Sequence, residues 1–244
     1  MNPIEQFSNE VKENIKQQSF NKELLQSSSN FINESIKSRY SYNFSWMGRA
    51  IIAYPQDMIA MQEIIWEVQP DLIIEAGIAH GGSLVYYASI LELIGNDGFV
   101  LGLDIDIRKH NREMIEKHPM FKRIKMIEGD STSTEVATQV YDIAKSKKKI
   151  MVCLDSNHTH DHVLAELNLY ANLTSVDSYC VVFDTIVEDL PKNLYTDRHW
   201  DVGNNPKTAI AEFLKTNNDF IINKDIDNKI LISVAPGGYL KRVK

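Results

Sequence analysis

Six carboxylates stand at the ends of short apolar runs: Glu75 after LII, Asp104 and Asp106 in GLDID, Asp130 in EGD, Asp155 in VCLD and Asp184 in VVFD. Such runs suit buried parallel strands, and ligands in an open α/β sheet bind beyond the carboxyl ends of the strands. A single acid there can simply complement a helix N-terminus. A row of them at successive strand tips points to a pocket for a polar, partly cationic ligand.

The first acid opens a glycine turn. In DLIIEAGIAHGGSL, Asp71 to Leu84, the apolar run stops at Glu75, passes Gly77, Gly81 and Gly82, and resumes at Ser83 with helical spacing. This is the strand, loop and helix start of a cofactor cradle, but it departs from the dinucleotide fingerprint GxGxxG and puts an acid where NAD-binding chains usually have glycine. Asp104, about 27 residues beyond Gly77, is placed to bond a ribose diol, and Asp130 to flank an adenine. With no phosphate-binding lysine in the loop, the expected ligand is a sulfonium nucleoside, S-adenosylmethionine, whose positive charge carboxylates favour.

The second constellation is LDSNHTHDH. Asp155 and, from the next run, Asp184 can share one hard divalent cation, leaving positions open for a hydroxyl. His158, three residues after Asp155, is the expected general base. His160 and His162 are read as solvent-facing or helix-start residues, because no second cluster completes a zinc site. Cys153 and Cys180 lie inside apolar runs and read as buried reduced thiols.

Around these residues, strand-like and helix-like segments alternate five times, which implies a mostly parallel sheet with helices on both faces. DFIINKD and KILISVA, parted by IDN, are expected to add a C-terminal antiparallel hairpin. Residues 1–40 form a helical N-terminal arm whose sparse apolar positions need a surface, either the main domain (41–244) or a second copy in a homo-oligomer. A net charge of −7 and a pI near 5.5 argue against nucleic acid as a partner. No apolar run is long enough to span a membrane and no secretory leader is evident, so the expected location is cytoplasmic.

EAGIAHGGSL, LDIDIRKHN, LDSNHTHDHVLAEL, VGNNPKTAIAEFL and APGGYLKR, in this order from about Tyr42 onward, resemble the cephalosporin hydroxylase (CmcI-type) and rhamnosyl O-methyltransferase family. The resemblance implies a Rossmann-like class I methyltransferase fold, S-adenosylmethionine and often Mg2+, and methylation of a hydroxyl on a sugar, glycan or small metabolite. It implies cofactor contacts at Glu75, Gly77, His80, Gly82, Ser83, Asp104, Asp130 and Ser131, metal ligands at Asp155 and Asp184, and a base at His158. Relatives carry Glu-Asp at the fifth strand tip, whereas this chain has Phe183 and Asp184. A carboxylate is thereby exchanged for a ring, so weaker cation affinity is expected, unless Glu188 or Asp189 substitutes. Tyr40, Trp46 and Arg49 are read mainly as packing residues, and Trp200, Asn204 and Asn205 as residues of a long loop open to substrate contact. The rival readings are a nicotinamide-dependent oxidoreductase and a non-catalytic cofactor-binding partner of a tailoring complex.

Overall fold

The computed structural model describes residues 2–244. Two amphipathic helices come first, α1 (Pro3–Gln18) and α2 (Lys22–Lys37). Asn2 caps α1 through the Ile4 amide, with Glu5 reaching back to the cap amide, and Asn21 caps α2. A small antiparallel pair follows, β1 (Phe44–Trp46) and β2 (Arg49–Ile51). Proline in the first turn opens α3 (Pro55–Val68).

Five βα units then run as the sequence predicts: β3 (Leu72–Ala76) and α4 (Gly82–Ile94), β4 (Phe99–Asp104) and α5 (Lys109–Glu116), β5 (Ile124–Glu128) and α6 (Thr134–Ala144), β6 (Ile150–Leu154) and α7 (His160–Tyr170), β7 (Tyr179–Val182) and α8 (Pro206–Thr216). The chain ends with β8 (Phe220–Ile222), α9 (Lys224–Ile230) and β9 (Tyr239–Arg242). The seven strands lie in the order β5-β4-β3-β6-β7-β9-β8, parallel through β7 and antiparallel at β9. Strands β3 and β6 are fully buried along their length, so the sheet carries two apolar layers, one on each face.

The C-terminal expectation is corrected in one respect. The antiparallel strands are present, but KILISVA is no strand. IDN lies within α9, capped by the Asn223 side chain at Asp225 N, and the second strand is YLKR, which inserts between β7 and β8. Periodicity cannot separate helix from strand in so short an apolar run.

Strand order reverses between β3 and β6, since β4 and β5 extend to one side and β7 to the other. Such a switch point leaves a crevice at the strand tips. Here it lies between Gly77 and Asp155, tied by the Asp155 amide donating to Ala76 O at 2.8 Å.

Candidate active site

Glycine is required at the crevice for space. Gly77 has φ +98°, and a Cβ there would fall 2.0 Å from the Asp155 carbonyl oxygen. At Gly82, the first residue of α4, a Cβ would meet Ala50 O at 2.1 Å, so glycine lets the β1–β2 pair rest against the helix start. The glycine loop is further fixed by Asp104, whose Oδ2 accepts from Ile78 N (2.8 Å) and Ala79 N (3.2 Å). Arg49, expected as a packing residue, reaches the same loop by donating to His80 O and to Asn111.

A cavity of about 560 Å³ opens over this crevice. Glu75, Gly77, His80, Gly82 and Ser83 line it from one side, and Asp155, His158, Phe183 and Asp184 from the other. Glu75 is 1% exposed, and its Oε2 has no hydrogen-bond partner. Burial drives its pKa well above the usual carboxylate range, and a hydrogen bond with Ser83 offsets only part of this. An orphaned buried carboxylate oxygen facing a cavity calls for a donor or a positive charge. The cationic amino group of a sulfonium nucleoside meets that requirement.

Across the crevice, the ligand atoms of Asp155, His158 and Asp184 all lie within 4.8 Å of one another. His158 Nδ1 is 2.9 Å from Asp184 Oδ2, and Nε2 is 3.6 Å from Asp155 Oδ1. The first is an ion-pair distance, but the ring N–H is not aligned for a hydrogen bond, so Nδ1 stays unpartnered in that sense. Burial alone would lower the imidazole pKa; Asp184 and then Asp155 outweigh it and push it up to about 10. Asp155 moves up to about 6, mainly through burial. Two carboxylates converging on one point form a donor set that fits a hard divalent cation. Asp184 adopts a left-handed backbone, φ +54°, a conformation aspartate tolerates better than most side chains.

Other candidates fall elsewhere. Asp130 is exposed and binds Thr132 through its amide and hydroxyl, and Ser131 is buried against Glu166; neither lines the main cavity. Glu188 accepts from Gly203 N and Asn205 Nδ2, and Asp189 pairs with Lys207, so neither joins Asp155 and Asp184 in the cluster. Asn205 caps α8 and Asn204 accepts from His160 N, which makes both loop anchors. Trp200 does line the cavity, its ring centroid 5.6 Å from that of His158. Trp46 donates to Ser89 and packs edge-on against Tyr86, while Tyr40 packs among Phe31, Phe44 and Tyr54.

Two features were not foreseen. His162 is no solvent-facing residue: it sits 3.2 Å from the fully buried Glu166 Oε1, which also accepts from Ser131 and Ser156 at 2.6 Å each. Asp57, 1% exposed at the cavity floor, accepts from Ser233 (2.5 Å), Val234 N (2.9 Å) and Tyr239 (2.7 Å). In sequence it reads only as an acid complementing the start of α3; an apolar helix face interrupted by one acid was the available signal.

A mixed sheet with this crevice and donor set, together with the relatives that the chain matches, makes it an S-adenosylmethionine-dependent O-methyltransferase. The profile of the Rhamnosyl O-methyltransferase/CmcI family matches residues 38–243, and the chain belongs to that family. The rhamnosyl O-methyltransferase of Mycobacterium tuberculosis (strain H37Rv) is 32% identical over 231 residues, covering 92% of this chain and 90% of the relative. That of Mycobacterium leprae is 32% identical over 148 residues, 60% of this chain and 62% of its own length. Among solved structures, CmcI with SAH superposes with a TM-score of 0.59 at 18% identity, covering 82% of this chain and 83% of that one. CmcI with Mg and SAM gives 0.58 at 19%, covering 83% and 78%. Among the described residues, no helix is long and apolar enough to cross a membrane.

Proposed function

We propose that this enzyme methylates a hydroxyl of a sugar, with Glu75 and the glycine loop holding the cofactor and Asp155, His158 and Asp184 acting on the acceptor. The observation that carries this reading is that the orphaned Glu75 and the three-residue cluster face one cavity from the two sides of the switch point. The relatives named for rhamnosyl methylation support a sugar acceptor. In this reading residues 41–244 form the methyltransferase domain and 1–40 an arm.

His158 takes the proton from the acceptor hydroxyl through Nε2, while Asp184 faces Nδ1 and stabilises the imidazolium. Asp155 and Asp184 would hold a divalent cation such as Mg2+, which supplies charge to stabilise the developing alkoxide and lowers the imidazole pKa toward neutrality. Phe183, packed in the core and forming cavity wall, leaves this site with one carboxylate fewer than the family resemblance implies, so weak cation affinity is expected. Trp200 offers a flat apolar surface beside His158 on which a sugar face can rest. Asp104 receives the ribose from the adjoining cavity that it lines. The arm packs on the main domain, with Gln18 at the end of α1 donating to Asn228 O of α9 and Ile32 of α2 buried with Ile186 and Leu190, while Ile4 and Phe7 of α1 stay exposed and leave a surface free for a second copy.

The test is S-adenosylhomocysteine production by the purified enzyme with a panel of rhamnosides and other glycosides, with and without Mg2+, alongside calorimetry with S-adenosylmethionine. Cofactor binding with glycoside-dependent turnover is expected; absence of both overturns the reading.

A further inference from the structure

The chain has seven arginines. Arg112, Arg123 and Arg242 pair with carboxylates, and Arg49 is buried against a carbonyl oxygen and Asn111. The remaining three, Arg39, Arg108 and Arg198, have no carboxylate within ion-pair distance among the described residues, and all three line one cavity. They come from three distant stretches of sequence: the end of α2, the loop after β4 and the long connection after β7. In a protein with a net charge of −7, these three exposed arginines concentrate positive charge at one place, which favours an anionic ligand there.

All three are exposed, and two of these guanidiniums stand over aromatic rings. Arg39, in a left-handed conformation at φ +52°, stands over Tyr42 at 4.5 Å from the ring centroid, and Arg198 stands 6.0 Å from that of Trp200. Stacking on a ring fixes the plane of a guanidinium while leaving its N–H edge free for an oxyanion. Asp104 and Asp106 share the lining, but Asp104 commits its oxygens to the amides of Ile78, Ala79 and Asp106, and neither acid pairs with a guanidinium. This cavity adjoins the main one, with Tyr42, His80 and Arg198 common to both.

We propose that Arg39, Arg108 and Arg198 form an anion subsite for the acceptor, so that the sugar methylated here carries a phosphate or a carboxylate. This deepens the methyltransferase reading and rests on it for the identity of the occupant. S-adenosylmethionine brings its ribose to Asp104 on the same lining but has no phosphate, so its single carboxylate is the rival occupant that the variants below separate from the acceptor; an oxyanion bridging two or three forked guanidiniums is strongly bound.

Calorimetry on the full chain, with and without S-adenosylhomocysteine, tests the subsite with three probes: inorganic pyrophosphate, methyl glucuronide and the neutral methyl glucoside. At least one anion should bind more tightly than the glucoside. That affinity should weaken about tenfold in each of R39A, R108A and R198A and fall as salt rises. Pyrophosphate binding alone assigns a phosphorylated acceptor, and glucuronide binding alone an acidic sugar. The proposal is overturned if neither anion binds better than the glucoside or if binding survives in all three variants. It is also overturned if the variants lose S-adenosylhomocysteine in parallel, which would put the arginines on the cofactor's own carboxylate. A wild-type chain that takes an anion but no S-adenosylhomocysteine removes the methyltransferase reading and leaves the subsite.

Discussion

The two halves of the main cavity are built on different principles. Its floor is backbone: strand tips pressed together at Gly77 and Asp155, with Glu75 buried among them. Its roof is side chains from loops, with Tyr42, Tyr195, Arg198 and Trp200 arriving from segments that no strand ties down. A rigid floor suits a ligand that never changes, and a roof of loop aromatics suits a partner that varies between relatives. Fold and cofactor site are therefore expected to be shared widely, while acceptor choice is settled by a few exposed side chains.

The contrast can be broken at the boundary where chemistry occurs. His158→Ala should lower turnover by about 10²–10⁴-fold, while calorimetry shows S-adenosylmethionine affinity nearly unchanged; turnover at the wild-type rate would remove His158 from the mechanism. On the floor, Gly77→Ala forces a Cβ onto the Asp155 carbonyl in a left-handed conformation. A loss of roughly 3 kcal/mol or more in urea denaturation is expected, together with cofactor affinity.

Asp57 sharpens the same point through pH. Burial is the main cause of its pKa rising from 3.8 to about 6, against the pull of its hydrogen bonds with Ser233, Val234 and Tyr239. The fold favours the neutral acid, so this group's contribution to stability is complete below its ordinary pKa and is lost as pH climbs through about 6. Over that window the wild type should lose roughly 2–3 kcal/mol more than Asp57→Asn does, measured by denaturation at both ends. Equal slopes would mean that the buried acid titrates normally. The smallest effect is expected on the roof: Trp200→Ala should raise the acceptor KM about tenfold with cofactor affinity and stability intact. A fall in stability instead would make Trp200 part of the frame.

Much of the floor is legible in the sequence because it is local. A strand tip announces its acid within one or two residues of an apolar run, which makes the positions of Glu75, Asp104, Asp155 and Asp184 readable, and His158 follows its acid at a spacing of three. Asp57 escaped because its partners lie 176 to 182 residues away. The Glu166 network escaped for a related reason: helical spacing joins His162 to Glu166, but Ser131 and Ser156 join only when two loops meet. Asp130 and Ser131 differ, since adjacency to a strand end does not bring either into the lining of the main cavity. The misread C-terminus belongs to the roof's kind of problem, where four residues of strand depend on neighbours far away in the chain.

That late strand also bears on how the protein is made. Because β9 lies between β7 and β8, β8 cannot be seated on the sheet, nor Asp57 given its contacts with Ser233 and Tyr239, until residues 233–242 have been made. While the ribosome is still working, β7 is an open edge able to pair with another chain. Until residues 239–242 take their place, that edge stays open to aggregation.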